Sequence, residues 1–342
     1  ALLHDHSSGD RSMALLPGIA ERARPRPAAR RRGALAWQGS CARLVARRLT
    51  TYTRQSGWLA GEARLLATSR AERWGLPRRG PQIGRPVRDG RLTSRWYVVG
   101  GLRLHARVSI EPVPPASPTV VLVHGLIVSS RYMLPTATRL APRCRVHIPD
   151  LPGYGRSAKP ERVLRVPELA DALAGYLASA GLDHVALVAN SFGCQIAADC
   201  AMRHPERIAR VVLIGPTVDP AARALAQQVA RWLRNVPGEP PWLGLVIARD
   251  LVDMGVRRAL CTLRFMLEDR IEAKLPHVRV PTLVVRGARD TVVPQRWAEE
   301  ATRLLPAGRL AVIPGAAHTV NYNAPLELVR VVYPFVAQAE RA

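Results

Sequence analysis

Short apolar runs recur along this chain: Thr119-Val120-Val121-Leu122-Val123, Arg145-Val146-His147-Ile148, Val185-Ala186-Leu187-Val188, Val211-Val212-Leu213-Ile214, Thr282-Leu283-Val284-Val285 and Leu310-Ala311-Val312-Ile313. A continuous apolar run of this length suits a strand buried on both faces of a sheet. Helical stretches separate most of these runs. One spans Pro167 to Ala180, with proline in its first turn and Gly181 past its end; another spans Ser191 to about His204. Strands alternating with helices imply βαβ crossovers, so the expected fold is an α/β, mostly parallel sheet flanked by helices. Ahead of it, Trp96–Val99 and Leu102–Val108 flank Gly100-Gly101, a two-residue hairpin signal. The rhythm breaks over residues 217–279, which read as helix and contain Pro237, Pro240 and Pro241. An insertion between two sheet strands is the simplest account. The sheet domain is therefore expected over 94–216 and 280–342.

The first 93 residues have a different texture. Residues 21–33, rich in Arg, Pro and Ala, cannot bury a core and read as disordered. Val45, Leu49, Tyr52, Ser56, Leu59, Ala63 and Leu66 form a stripe at helical spacing. That stripe is read as a helix packed on the domain, with contact to a membrane surface as the alternative. Residues 75–92 read as a linker.

The chain carries 50 Lys plus Arg against 26 Asp plus Glu, a net charge of +24. Residues 1–110 hold 22 Arg and 6 acids, so +16 of the excess lies in the first third. All but two of the 50 cations are arginine, a preference that fits GC-rich coding better than selection for phosphate. No helix-turn-helix, zinc-finger or aromatic RNA motif appears. No run of 18 apolar residues is long enough to cross a bilayer, and no secretory signal is visible. Five scattered cysteines (Cys41, Cys144, Cys194, Cys200 and Cys261) argue against a disulfide scaffold and fit a reducing, cytoplasmic location.

The chemistry concentrates at strand ends. Val185–Val188 runs through Ala189-Asn190 into Ser191-Phe192-Gly193, an apolar strand leading to small-x-Ser-x-Gly and then a helix. A serine at such a turn is held in a strained backbone with its hydroxyl exposed, and the small flanking residues admit close backbone. A serine nucleophile needs a base, and the base needs an orienting acid. Asp290, in Gly287-Ala288-Arg289-Asp290, and His318, in Gly315-Ala316-Ala317-His318, each follow a strand and supply them in the order Ser, Asp, His. Asp219, after the run ending at Ile214, is an alternative acid. His124 reads as a structural loop histidine and Asp150 as a turn cap. No phosphate loop, HExxH or dinucleotide-binding glycine pattern is present, so no cofactor and no metal is expected.

Five motifs in order make the stretch from about 94 to 340 resemble the α/β-hydrolase family. They are Val123-His124-Gly125, Asp150-Leu151-Pro152-Gly153-Tyr154-Gly155-Arg156-Ser157, Ala189-Asn190-Ser191-Phe192-Gly193, Gly287–Asp290 and Gly315–His318. The resemblance implies that Ser191 is the nucleophile, His318 the general base and then acid, and Asp290 its partner. It also implies an oxyanion hole from the backbone N–H groups of Leu126 and Phe192, with Gly125 giving that loop room. Ala189 departs from the usual first glycine. The expected function is a serine esterase-type hydrolase of a small ester, lactone or thioester. A carbon–carbon hydrolase of ring-cleavage products, an acyltransferase, and a basic nucleic-acid- or membrane-binding scaffold are the alternatives. A serine at 191 argues against relatives of this fold that use aspartate there. The partner expected is a small molecule with an apolar acyl or lactone part. The insertion 217–279 is expected to form a helical cap, with Trp232, Trp242, Leu243, Phe265 and Met266 lining a pocket or holding the cap together.

Overall fold

Every apolar run named above forms a strand. The structure, a computed structural model, describes residues 91–338 except Glu111; the tract 21–33, the stripe from Val45 to Leu66 and nearly all of the 75–92 linker lie outside the described residues. In chain order the strands are β1 (Leu92–Val99), β2 (Leu102–Ser109), β3 (Thr119–Val123), β4 (Arg145–Pro149), β5 (Val185–Asn190), β6 (Ile208–Ile214), β7 (Thr282–Gly287) and β8 (Gly308–Ile313). β1 and β2 form the expected hairpin, with positive φ at both Gly100 and Gly101. The longer helices are α1 (Leu134–Leu140), α2 (Val166–Ser179), α3 (Phe192–Arg203), α4 (Leu225–Asn235), α5 (Leu243–Met254), α6 (Val256–Glu268), α7 (Ile271–Lys274), α8 (Gln295–Leu304), α9 (Val320–Asn323) and α10 (Pro325–Val336).

The eight strands form one sheet in the order β1-β2-β4-β3-β5-β6-β7-β8. β2 runs antiparallel to β1 and β4; all other pairs are parallel. From β3 the chain builds outward to β4, then returns and builds the other way from β5. The strand order thus reverses between β3 and β5, where open parallel sheets place their sites. Register aligns the carboxyl ends there: Val123 faces Ala189, Asn190 faces Ile214, and Ile214 faces Val285.

Two apolar cores sandwich the sheet, and β5 feeds both by alternation. Val185, Leu187 and Ala189 enter the core shared with Leu173 of α2, Ile196 of α3 and Trp297 of α8. Ala186 and Val188 enter the core shared with Leu140 of α1 and Val332 of α10. A strand so placed has no polar face, hence its unbroken apolar sequence. Each large side chain sealed in these layers contributes about 1.5–3 kcal/mol relative to exposure.

Helices α4 to α7 fall between β6 and β7. Polar struts join them to the sheet domain. The Asp250 carboxylate accepts the Ser129 N–H at 2.8 Å and pairs with Arg131, which also reaches Asp253 at 2.9 Å. Lys274 pairs with Asp199 of α3 at 2.7 Å, and Gln195 donates to the Met266 carbonyl at 2.9 Å. Among the described residues, no helix is long and apolar enough to cross a membrane.

Candidate active site

Ser191 stands between β5 and α3 with φ 54° and ψ −119°, a conformation that costs a non-glycine residue of order 1–3 kcal/mol. Packing enforces it. A Cβ at Gly193 would sit 2.6 Å from the His124 carbonyl oxygen and 2.8 Å from that of Val123, so the first turn of α3 presses on the end of β3. Ala189 is fully buried between Val123 and Leu213, and its methyl group fits where a glycine is usual. Ser191 is only partly buried, and its hydroxyl has no hydrogen-bond partner among the described residues. Phe192 opens α3, so its N–H lies at the positive end of the helix with no acceptor one turn before it.

The loop after β3 lies against this turn. A Cβ at Gly125 would lie 3.4 Å from the Asn190 carbonyl and 3.5 Å from the Ser191 Cβ. Leu126 follows directly, and Ile127 holds a left-handed φ of 68°. His124 is buried within this loop. It accepts the Leu151 N–H at Nε2 (3.2 Å), so its Nδ1–H donates to the Gly125 carbonyl (3.0 Å), and burial pushes its pKa down. Asp150 accepts from His105 Nδ1 (2.8 Å), the Arg156 N–H (3.0 Å) and the Ser130 N–H (2.7 Å). Burial opposes its ionisation, yet these donors hold its pKa at about 2.

The loops after β7 and β8 bring Asp290 and His318 together. One Asp290 oxygen accepts the N–H groups of Val292 (2.8 Å) and Val293 (2.9 Å); the other accepts His318 Nδ1 at 2.8 Å. With the proton held on Nδ1, Nε2 carries the free lone pair. Burial alone would lower the His318 pKa. The Asp290 charge, the Asp290 hydrogen bond and the Glu239 charge outweigh it, and the pKa rises above the ordinary imidazole value. Asp219 faces elsewhere. Its carboxylate is taken by Arg231 (2.8 Å), Arg296 and the Ala221 N–H (3.0 Å). Burial raises its pKa, but these partners more than offset that and hold it below the ordinary value.

Sequence reading missed Gly215, which joins the two halves of the site. The Ser191 N–H donates to the Ile214 carbonyl at 2.9 Å. One residue on, a Cβ at Gly215 would lie 3.0 Å from the His318 ring and 3.3 Å from the Asp290 carboxylate. Its φ of +57° adds a second reason for glycine. Gly215→Ala is expected to displace the imidazole and lower kcat on an activated ester by about 10²-fold. Steady-state kinetics on protein with an unchanged far-UV spectrum checks this.

Two residues of the insertion, Asn235 and Glu239, were also missed. Asn235 Oδ1 accepts the His318 N–H at 3.2 Å, and Asn235 donates to Glu239 at 2.7 Å. Glu239 further accepts the Thr319 N–H (2.9 Å), Asn323 Nδ2 (2.8 Å) and the Thr319 hydroxyl. A base must be neutral to act, so kcat/KM should rise with pH through the raised His318 pKa. Glu239→Gln removes one charge that stabilises the imidazolium. The acidic limb of the kcat/KM profile is expected to move to lower pH, read from rates measured from pH 5 to 9.

The five residues expected to line a pocket or to hold the cap together stand in different surroundings. Leu243 and Met266 are buried in different cores. Phe265 lies beneath the Arg165 guanidinium, 4.5 Å from its carbon. Trp232 and Trp242 remain half exposed.

Residues 120–331 match the profile of the Alpha/beta hydrolase family. The chain is 29% identical over 230 residues to the candidate carbamate hydrolase RutD of Yersinia enterocolitica, covering 60% of this chain and 83% of that protein. It is 25% identical over 276 residues to a 2-(acetamidomethylene)succinate hydrolase of Mesorhizobium japonicum, covering 73% and 97%. The crystal structure of an enol-lactonase from Burkholderia xenovorans superposes with a TM-score of 0.61 at 20% identity, covering 71% of this chain and all of that one, a likeness of fold. Motifs, strand order and a profile match over most of the chain agree: this protein belongs to the alpha/beta hydrolase family.

Proposed function

We propose that the protein is a serine hydrolase that cleaves a small ester, lactone or thioester through an acyl-enzyme. The observation that carries this reading is that a strained, partly exposed Ser191 and a hydrogen-bonded His318–Asp290 pair both lie against the Ile214–Gly215 step. Ser191 Oγ attacks the carbonyl carbon while His318 Nε2 takes its proton. The tetrahedral oxyanion lies between the N–H groups of Phe192 and Leu126, each donor of this kind being worth about 3–4 kcal/mol. His318 then protonates the leaving group as the carbonyl reforms on Ser191. Water, deprotonated by His318, releases the acid and restores the serine. Asp290 holds the imidazole tautomer and stabilises the imidazolium. The insertion serves as a cap whose Asn235 and Glu239 fix the loop of the base. A relative named for a carbamate supports a substrate that offers a carbonyl carbon to a nucleophile.

A fluorophosphonate probe tests the reading. Stoichiometric labelling that maps to Ser191, with turnover on a panel of p-nitrophenyl esters, lactones and thioesters, is the expected result. Labelling without turnover on any of them, but with cleavage of a vinylogous diketone, would move the assignment to carbon–carbon hydrolysis. No labelling at all would make the fold a scaffold.

A further inference from the structure

An amphipathic helix on a domain normally buries its apolar stripe, and α4 does the reverse. The residues it turns inward are polar: Gln228 and Asn235 are buried, and Arg231 is half-buried on Asp219. The residues it exposes include Leu225, Val229, Trp232 and Leu233. At 100° per residue these four fall within an arc of roughly 100°. The pattern extends beyond one helix. On α5 the exposed face carries Leu245 and Val252, exposed by 65% and 82%. In all, ten of the fourteen large apolar side chains exposed among the described residues lie in the insertion. A concentration of this kind marks an interaction surface rather than the scatter expected of an ordinary exterior.

Charge identifies the partner. All seven acidic side chains of residues 217–279 already have a hydrogen-bond or ion-pair partner. Arg234, Arg249 and Arg257, on α4, α5 and α6, are exposed and have no ion pair among the described residues. Of the seven acids, Glu239 alone is held by neutral donors rather than by a cation, and it lies beyond α4 against the His318 loop. The charges exposed on α4, α5 and α6 without an ion pair among the described residues are arginines. Apposing two copies of this surface would bring like charges together, which disfavours a second chain. A nucleic acid would satisfy the arginines but not the aliphatic side chains. Arginines beside leucine, valine and indole are what the boundary between anionic headgroups and acyl chains accommodates.

We propose that the exposed face of α4 and α5 is a docking surface for an anionic lipid bilayer, with the aliphatic side chains in the acyl boundary and Arg234 and Arg249 at the headgroups. The proposal uses none of the residues of the N-terminal stripe considered from sequence, and it does not depend on the reaction assigned to Ser191. The test is flotation of the full chain with phosphatidylcholine vesicles, with and without phosphatidylglycerol. Binding that requires phosphatidylglycerol and weakens with salt is expected. The basic N-terminal residues could produce the same salt dependence, so variants decide. Val229→Ser/Leu233→Ser/Leu245→Ser and, separately, Arg234→Glu/Arg249→Glu should each lower the partition coefficient about tenfold or more. Their melting temperatures should stay near that of the parent, since these side chains are already in water. Unchanged binding in both variants would overturn the proposal and assign any lipid affinity to the N-terminal residues. So would absence of binding by the parent, or light scattering that shows a dimer abolished by the aliphatic substitutions.

Discussion

Ser191→Ala is expected to leave the fold intact and to lower ester hydrolysis by about 10⁶-fold, the loss typical when a triad serine is removed. Stability should hold or rise slightly. Ser191 has φ 54°, and among the described residues its hydroxyl has no partner to lose, so the substitution removes no hydrogen bond there. Thermal unfolding and turnover of p-nitrophenyl butyrate, measured on the same preparation, separate the two effects. Near-parental turnover in a folded variant would remove Ser191 from the mechanism. It would also detach the reading from the His318–Asp290 pair, since no other serine stands at that strand end.

Asp290→Asn is expected to cost about 10⁴ in kcat, and the geometry says why. Asp290 presents one oxygen to the N–H groups of Val292 and Val293 and the other to His318 Nδ1. The amide keeps the first role only with its oxygen toward those N–H groups. Its NH₂ then faces His318 and favours the tautomer with the proton on Nε2, which cannot accept from Ser191. Asp219→Asn should act through stability instead, because its carboxylate is spent on Arg231 and Arg296. Weakening charge-assisted hydrogen bonds to arginines that stay partly solvated costs about 1.5–3 kcal/mol, so a lower melting temperature with kcat nearly unchanged is the expected signature. The reverse ranking in kinetics would make Asp219 the acid.

The parts of this molecule that were legible in its sequence are those whose cause is local. A strand buried on both faces must be apolar at every position, so β3, β5, β6 and β7 announce themselves. A strained serine turn between a strand and a helix needs small residues two positions to either side, so the turn at Ser191 does too. Gly215, Asn235 and Glu239 have causes that are not local. Gly215 is required by a ring from a loop about a hundred residues later, and Asn235 meets the His318 N–H across 83 residues. Trp232 illustrates a third limit. Periodicity shows that Leu225, Val229, Trp232 and Leu233 share a face, but not whether that face looks inward. Here the buried ion pair of Arg231 with Asp219 and the contact of Asn235 with His318 settle the orientation, and the apolar face is left outside.

The struts of the insertion bear on how modular such an enzyme is. Asp250 grips the loop that carries Leu126, while Asn235 and Glu239 grip the loop that carries His318. Both loops of the candidate site thus take part of their framework from the insertion between β6 and β7. Grafting a foreign insertion between β6 and β7 would therefore change more than the chamber offered to substrate. It would leave the Ser129 and His318 N–H groups without their acceptors unless the graft carried equivalents of these three side chains. With His318 as the proposed base, exchange of specificity in this scaffold is tied to retuning of that residue, and a graft that retains the three side chains should recover rate where a bare one does not.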